Sequence, residues 1–230
     1  MKTKNIIGVI GAMQSETEGL VAAMTGKKTE TVGGIRFTVG KLSGRRAVVA
    51  TCGVGKVAAA MCAQIMLLHF GVRLLLNTGV AGGLDQEMKV MDVAVATDVV
   101  QHDMDTTAIG DPAGLISGLN IVKIPTHAQA ARTLLDTAHA AGCKVFSGTI
   151  ASGDLFVAKA EDKDRIRGQF DAIACEMEGA AIGQVAYTNG VPFAVLRVIS
   201  DGGDGMEFSE FAPKAADLSV EITKTFLGKI

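Results

Sequence analysis

The chain has 230 residues and a formal net charge of -2, with 48% hydrophobic and 20% charged residues. That hydrophobic content excludes intrinsic disorder and can supply the core of one large domain. The even charge balance, with 4% aromatic residues and no Trp, excludes a nucleic-acid platform.

In chain order, Lys2 and Lys4 precede the apolar run Ile6–Ile10, a composition shared with secretory leaders. The run is short and passes straight into Gln14-Ser15-Glu16, so it reads as the first core strand. A helix over Ser15–Met24 follows, with Glu16 in its first turn, where acids suit the helix dipole. Thr29–Ala50 alternates and is punctuated by Gly33-Gly34 and Ser43-Gly44, which predicts antiparallel strands joined by tight turns. Ala47–Cys52 is the next apolar strand, and Lys56–Phe70 an Ala-rich helix. Between them, the turn Gly53-Val54-Gly55-Lys56-Val57-Ala58 lacks the placement of a dinucleotide fingerprint and the spacer of a P-loop. It reads equally as a tight turn or as a ligand-facing one.

The strand Leu74–Thr78 leads into a second Gly-rich segment, Asn77–Gly83, read as a loop at the carboxyl end of a sheet strand. Beyond the strand Val93–Val99, the stretch Gln101–Thr126 is long and unpatterned, as functional loops and subunit contacts are. Its His102-Asp103-x-Asp105 offers one His and two acids without a second cluster, and no metal is expected. Strands over Val145–Ile150, Ala172–Cys175 and Phe193–Ile199 alternate with helices over Ala128–Ala141, Glu161–Gln169, Gly179–Asn189 and Ser209–Leu227. Continuous apolar strands separated by helices predict an α/β fold, a single-domain three-layer α/β/α architecture over residues 1–230 with a central mixed β-sheet. No run approaches the ~18 apolar residues of a membrane helix. Cys52, Cys62, Cys143 and Cys175 form no C-x-x-C pair and read as buried hydrophobes of a reducing, cytoplasmic compartment.

Glu16, Glu178 and Asp201 each follow a different buried strand. Singly, each reads as a helix-dipole partner or turn residue. In a parallel arrangement all three would leave the sheet at one edge. Convergent carboxyls suit glycosyl chemistry: one protonates a leaving group, one activates water and one holds sugar hydroxyls.

With these residues assembled, the chain resembles the 5'-methylthioadenosine/S-adenosylhomocysteine nucleosidases of the nucleoside phosphorylase superfamily. The resemblance rests on seven motifs in order: G-A-M-x-x-E at Gly11–Glu16, G-V-G-K-V-A-A-A at Gly53–Ala60, N-T-G-x-A-G-G at Asn77–Gly83, H-D-x-D-x-T-A-x-G at His102–Gly110, S-G-D-x-F at Ser152–Phe156, E-M-E-x-x-A-I at Glu176–Ile182 and R-x-I-S-D at Arg197–Asp201. It implies a nucleoside phosphorylase-like fold, no cofactor, a small nucleoside substrate and a homodimer. Glu16 then matches the general base that polarises water, and Asp201 the acid that protonates adenine N7, oriented by Ser200. Glu178 would accept the ribose hydroxyls beside Met177, with Glu176 a supporting residue neutralised by Arg197. Phe156 would stack on the purine and the Val157 backbone read its edge, while Met13, Val54 and Phe208 would surround the 5'-alkylthio group.

Two departures stand out. Many relatives carry Ser where this chain has Val80, which shifts water placement toward Arg197 and Glu178. Relatives often lend an aromatic from the neighbouring subunit where this chain has Ile109. Close alternatives are a futalosine or aminodeoxyfutalosine hydrolase, which shares the acids, and a purine nucleoside phosphorylase, which needs several Arg around an anion pocket. A non-catalytic nucleoside-binding module is disfavoured by the complete acid set.

Overall fold

The structure, a computed structural model, describes residues 6–202 and 204–230. Lys2 and Lys4 of the leader-like segment lie outside the described residues. The first strand, β1 (Ile7–Gly11), is buried at every position, as a strand covered on both faces must be. It runs parallel to β4 (Arg45–Thr51) on one side and to β5 (Leu74–Gly83) on the other. As the alternating pattern predicts, β2 (Thr25–Val32) and β3 (Ile35–Leu42) join β4 as an antiparallel meander. Gly33, Gly34, Ser43 and Gly44, all at positive φ, form its tight turns.

The remaining strands are β6 (Val93–Gln101), β7 (Ile124–Pro125), β8 (Val145–Ser152), β9 (Ala172–Glu176) and β10 (Phe193–Asp201). β10 pairs with both β5 and β6, and β9 with both β5 and β8. Since β6 also pairs with β8, these five strands close on themselves. The fold is the expected mixed sheet between helical layers. On one face lie α2 (Lys56–Leu68) and α5 (Gly179–Thr188), packed through Ala59, Cys62, Ala63, Ala180 and Ala186. On the other lie α1 (Glu18–Ala23), α3 (Ala128–Ala140) and α6 (Gly205–Lys229). α4 (Ala160–Phe170) covers the β8–β9 end through Ile166 and Phe170.

Several expectations need correction. Asn77–Gly83 is not a loop: β5 continues to Gly83, paired with β10 as far as Gly82 and with β9 at its tip. The glycines serve close packing between strands. The three acids do not leave a parallel sheet at one edge either. β1 and β10 run with β5, whereas β9 runs against it from Gly83 toward Gly82. The carboxyl end of β9 therefore comes back along β5 and meets the other two strand ends from the opposite direction. The first predicted helix is split into a 3-10 turn at Gln14–Glu16 and α1, because the Glu16 carboxylate takes the backbone N–H groups of Ala12 and Met13 and closes the turn. Within Gln101–Thr126, Ile116 is buried in the chain's own core, so it is no part of an exposed contact. Cys52, Cys62 and Cys175 are buried as expected, but Cys143, in the turn after α3, is half-buried. Among the described residues, no helix is long and apolar enough to cross a membrane.

Candidate active site

The ends of β1, β5, β9 and β10 surround a cavity of about 180 Å³. Glu16, Glu176, Glu178, Ser200 and Asp201 all line it, each less than a tenth exposed. Three backbone N–H groups hold the Glu16 carboxylate: Ala12 (2.6 Å) and Met13 (2.9 Å) on Oε2, and Val80 (3.0 Å) on Oε1. Val80, whose side chain has no hydroxyl, thus still orients this carboxylate through its main chain. Its side chain lines the cavity.

Arg197 is fully buried and stands in register with Gly79 on β5. Its Nη2 donates to Glu176 Oε2 and to Asn77 Oδ1, and lies 3.5 Å from Glu178 Oε2. Nε and Nη1 have no hydrogen-bond partner among the described residues. A Cβ on Gly79 would collide with both Arg197 Nη1 and Glu16 Oε1, so only glycine leaves room between carboxylate and guanidinium. Asn77, itself buried, donates to the Ile10 carbonyl at 3.0 Å and is thereby fixed to accept from Arg197.

The two glutamates of β9 and its turn differ sharply in environment. Burial disfavours charge on Glu176, but Arg197, the Ser152 hydroxyl and the N–H groups of Glu178 and Gly179 outweigh it and hold its carboxyl below the ordinary range. Those N–H groups open α5, so Glu176 also complements the helix dipole. Glu178 accepts one N–H, from Gly55 at 2.9 Å. Burial and the neighbouring Glu176 charge push its pKa up to about 7, against the pull of Arg197. The turn at Gly53–Lys56 thus reaches the cavity, with Val54 in its lining, and Gly55 adopts φ 101°, a conformation side chains disfavour.

These values carry a sign that can be tested. A carboxyl with a raised folded pKa holds its proton more tightly when folded, so its contribution to stability falls as pH rises from 4.5 to about 7. Glu178→Gln lacks this titration. The melting temperature of Glu178→Gln minus that of wild type is expected to climb across that window and level off above it. A gap that is flat or shrinks with pH, by calorimetry, contradicts the assignment.

At the other end of the cavity, Ser200 Oγ donates to Asp201 Oδ2 at 2.7 Å, and Asp201 itself is 2% exposed. Phe156 and Phe208 form an edge-to-face pair with centroids 5.6 Å apart. They line the mouth with Met13, Val54, Val157 and Met177. Of the predicted residues, Arg197 stands behind the cavity wall, fully buried, and Ile109 is not brought to the site: it is 81% exposed, in a 3-10 turn at Thr107–Ile109. Sequence reasoning passed over Ala12, Ala81, Gly82, Leu155 and Cys175, which line the cavity, and Asn77 and Ser152, which support it. A polar Asn or Ser inside an apolar strand was the available signal. The thiol of Cys175 is pushed up to about 12 by burial and then by Asp201, so it is inert.

Among the described residues, no group of three or more His, Cys, Asp or Glu could hold a metal. Asp103 instead pairs with Lys56 at 2.6 Å. No Arg or Lys lines the cavity among the described residues, and the Arg197 guanidinium beside it is engaged by Glu176 and Glu178.

Known proteins share this fold. Residues 6–228 match the phosphorylase superfamily. A 5'-methylthioadenosine/S-adenosylhomocysteine nucleosidase of Actinobacillus succinogenes is 37% identical over 97% of this chain and 99% of its own length. A solved structure of the Helicobacter pylori nucleosidase, a mutant with 5'-methylthioadenosine in the active site, superposes with a TM-score of 0.94 at 35% identity, covering 98% and 99% of the two chains. A futalosine hydrolase of Helicobacter pylori superposes with a TM-score of 0.95 at 33% identity over the whole of both chains. With the fold, the acid set and these similarities in agreement, the chain belongs to the phosphorylase superfamily and, within it, to the 5'-methylthioadenosine/S-adenosylhomocysteine nucleosidase family.

Proposed function

We propose that this protein hydrolyses the N-glycosidic bond of 5'-methylthioadenosine and S-adenosylhomocysteine, and also of 5'-deoxyadenosine, releasing adenine. The observation that carries the reading is the convergence of Glu16, Glu178 and Asp201 on one cavity. Asp201, held by Ser200, donates a proton to adenine N7 as the C1'–N9 electron pair withdraws into the purine. Water beside Glu16 attacks C1' and gives its proton to the Glu16 carboxylate, which the buried Arg197 guanidinium attracts from behind the wall. Glu178 accepts hydrogen bonds from the ribose hydroxyls, and Arg197 neutralises Glu176 beside it. Phe156 stacks on the base with the Val157 backbone at its edge, and Met13, Val54 and Phe208 enclose the alkylthio group, since sulfur packs well on both Met and Phe.

Two relatives set the controls. A phosphorylase needs a cationic pocket, whereas the cavity wall holds no Arg or Lys among the described residues. A futalosine-type hydrolase shares the fold, and Met13, Val54, Phe156 and Phe208 around the cavity suit an alkylthio group. The test incubates the enzyme with methylthioadenosine, with and without phosphate, beside aminodeoxyfutalosine. Adenine and free methylthioribose in phosphate-free buffer are expected. A phosphate-dependent sugar phosphate, or faster turnover of aminodeoxyfutalosine, overturns the reading.

We also propose a cytoplasmic homodimer serving methionine salvage. Val54, Val57 and Met61 at the start of α2, with Ile109, are 46% exposed or more, and a second copy would cover them. Such a copy could bring its Ile109 to the alkylthio mouth. Elution as a single 23.8 kDa chain would contradict the dimer.

A further inference from the structure

Three segments outside the cavity are tied together beside it. Lys56 opens α2, Asp103 lies just past the end of β6, and Asp154 lies between β8 and α4. Lys56 Nζ donates to Asp103 Oδ1 at 2.6 Å and to Gln101 Oε1 at 3.2 Å. The second Asp103 oxygen accepts the Asp154 backbone N–H at 3.0 Å. Asp154 Oδ1 accepts the Lys56 backbone N–H at 2.8 Å, which closes a ring. Burial works against charge on Asp103, but Lys56 and the Asp154 N–H outweigh it, so the carboxylate stays ionised near neutral pH.

Two of the three anchors, Lys56 and Asp154, sit one residue from a wall of the site, and Asp103 bridges them. Gly55, before Lys56, gives its N–H to Glu178, and Leu155, Phe156 and Val157 follow Asp154 into the cavity lining. None of the three ring side chains lines the cavity. The Lys56–Asp103 pair is 19% and 30% exposed, where an ion pair adds little to global stability. Its geometric effect is larger, because it joins two loops that would otherwise move independently.

We propose that Lys56, Asp103 and Asp154 are positioning residues whose closed ring sets the Phe156 wall against the Gly55–Glu178 contact, so that purine and ribose subsites are aligned before a nucleoside binds. The activity readout rests on the nucleosidase reading, and the ring can be measured without it. Asp103→Ala and Asp154→Ala open the ring. Asp154→Asn keeps both the Oδ1 acceptor and the backbone N–H. The two Ala variants are expected to raise KM for methylthioadenosine roughly tenfold with kcat within about threefold, and Asp154→Asn to stay near wild type. Lys56→Met combined with Asp103→Ala is expected to be no worse than the weaker single variant, since both break one ring.

Hydrogen exchange supplies the independent measurement: in Asp103→Ala the amides of residues 154–157 are expected to exchange at least tenfold faster, with the sheet unchanged. Unchanged KM and exchange, additive losses in the double variant, or a fall confined to kcat together with a lower melting temperature would each overturn the ring. If wild type releases no adenine, the functional reading fails, and the exchange rates alone decide whether the ring aligns the two walls.

Discussion

Asp201→Asn is expected to lose adenine release by ~10³-fold or more while nucleoside binding stays within about tenfold. Asn keeps the size of the side chain and can still accept from Ser200 Oγ, so the cavity retains its shape. What it cannot do is deliver a proton to N7. Without that proton the purine must depart as an anion, and the barrier rises. Losing an acid at a site built around leaving-group departure therefore affects kcat far more than affinity. Single-turnover release and calorimetric binding of methylthioadenosine separate the two effects. Turnover within tenfold of wild type would remove Asp201 from the acid role. A hundredfold loss of affinity would show that it binds substrate in the ground state.

Replacing Arg197 with Met is expected to lower stability by ~3–5 kcal/mol as well as to abolish turnover. The guanidinium is fully buried, and its pKa is raised: burial opposes its charge, but Glu176, Glu178 and Glu16 together prevail. Met leaves Glu176 with its hydroxyl and N–H donors but no opposite charge, in a core too dry to solvate it. At 2–4 °C for each kcal/mol in a chain of this size, the melting temperature should fall by about 6–20 °C. Pairing the change with Glu176→Gln removes the orphaned charge and is expected to recover more than half of the loss. Activity should not return, because Arg197 Nη1 is also needed beside the Glu16 carboxylate. A single variant as stable as wild type would show that the buried pair contributes no net cohesion.

The architecture was largely readable because apolar runs and Ala-rich segments report burial directly. β1, β4, β6, β8 and β10 and all the longer helices lie where periodicity placed them, with ends that differ by a few residues in either direction. The small-residue run Gly79–Gly83 was misread, since Gly-rich sequence suits both loops and strands packed too tightly for side chains. Their shared placement, each after a different buried strand, likewise singled out Glu16, Glu178 and Asp201. It did not expose Asn77 or Ser152, whose function arises only from the neighbours that distant strands supply.

Hydrophobic patterning and the spacing of its acids thus decided, within the sequence alone, that this is a mixed α/β protein with carboxyls at several strand ends. How those carboxyls meet was decided by the tertiary structure. β9 returns against β5, the ring of strands closes, and Glu178 is driven toward the Glu16 side of the cavity instead of away from it. Strand direction and pairing depend on contacts between residues far apart in the chain, such as Gly82 with Cys175, and local propensity carries no record of them. The division of charge between Glu176 and Glu178 has the same origin, since one guanidinium brought in by β10 reaches the first more closely than the second.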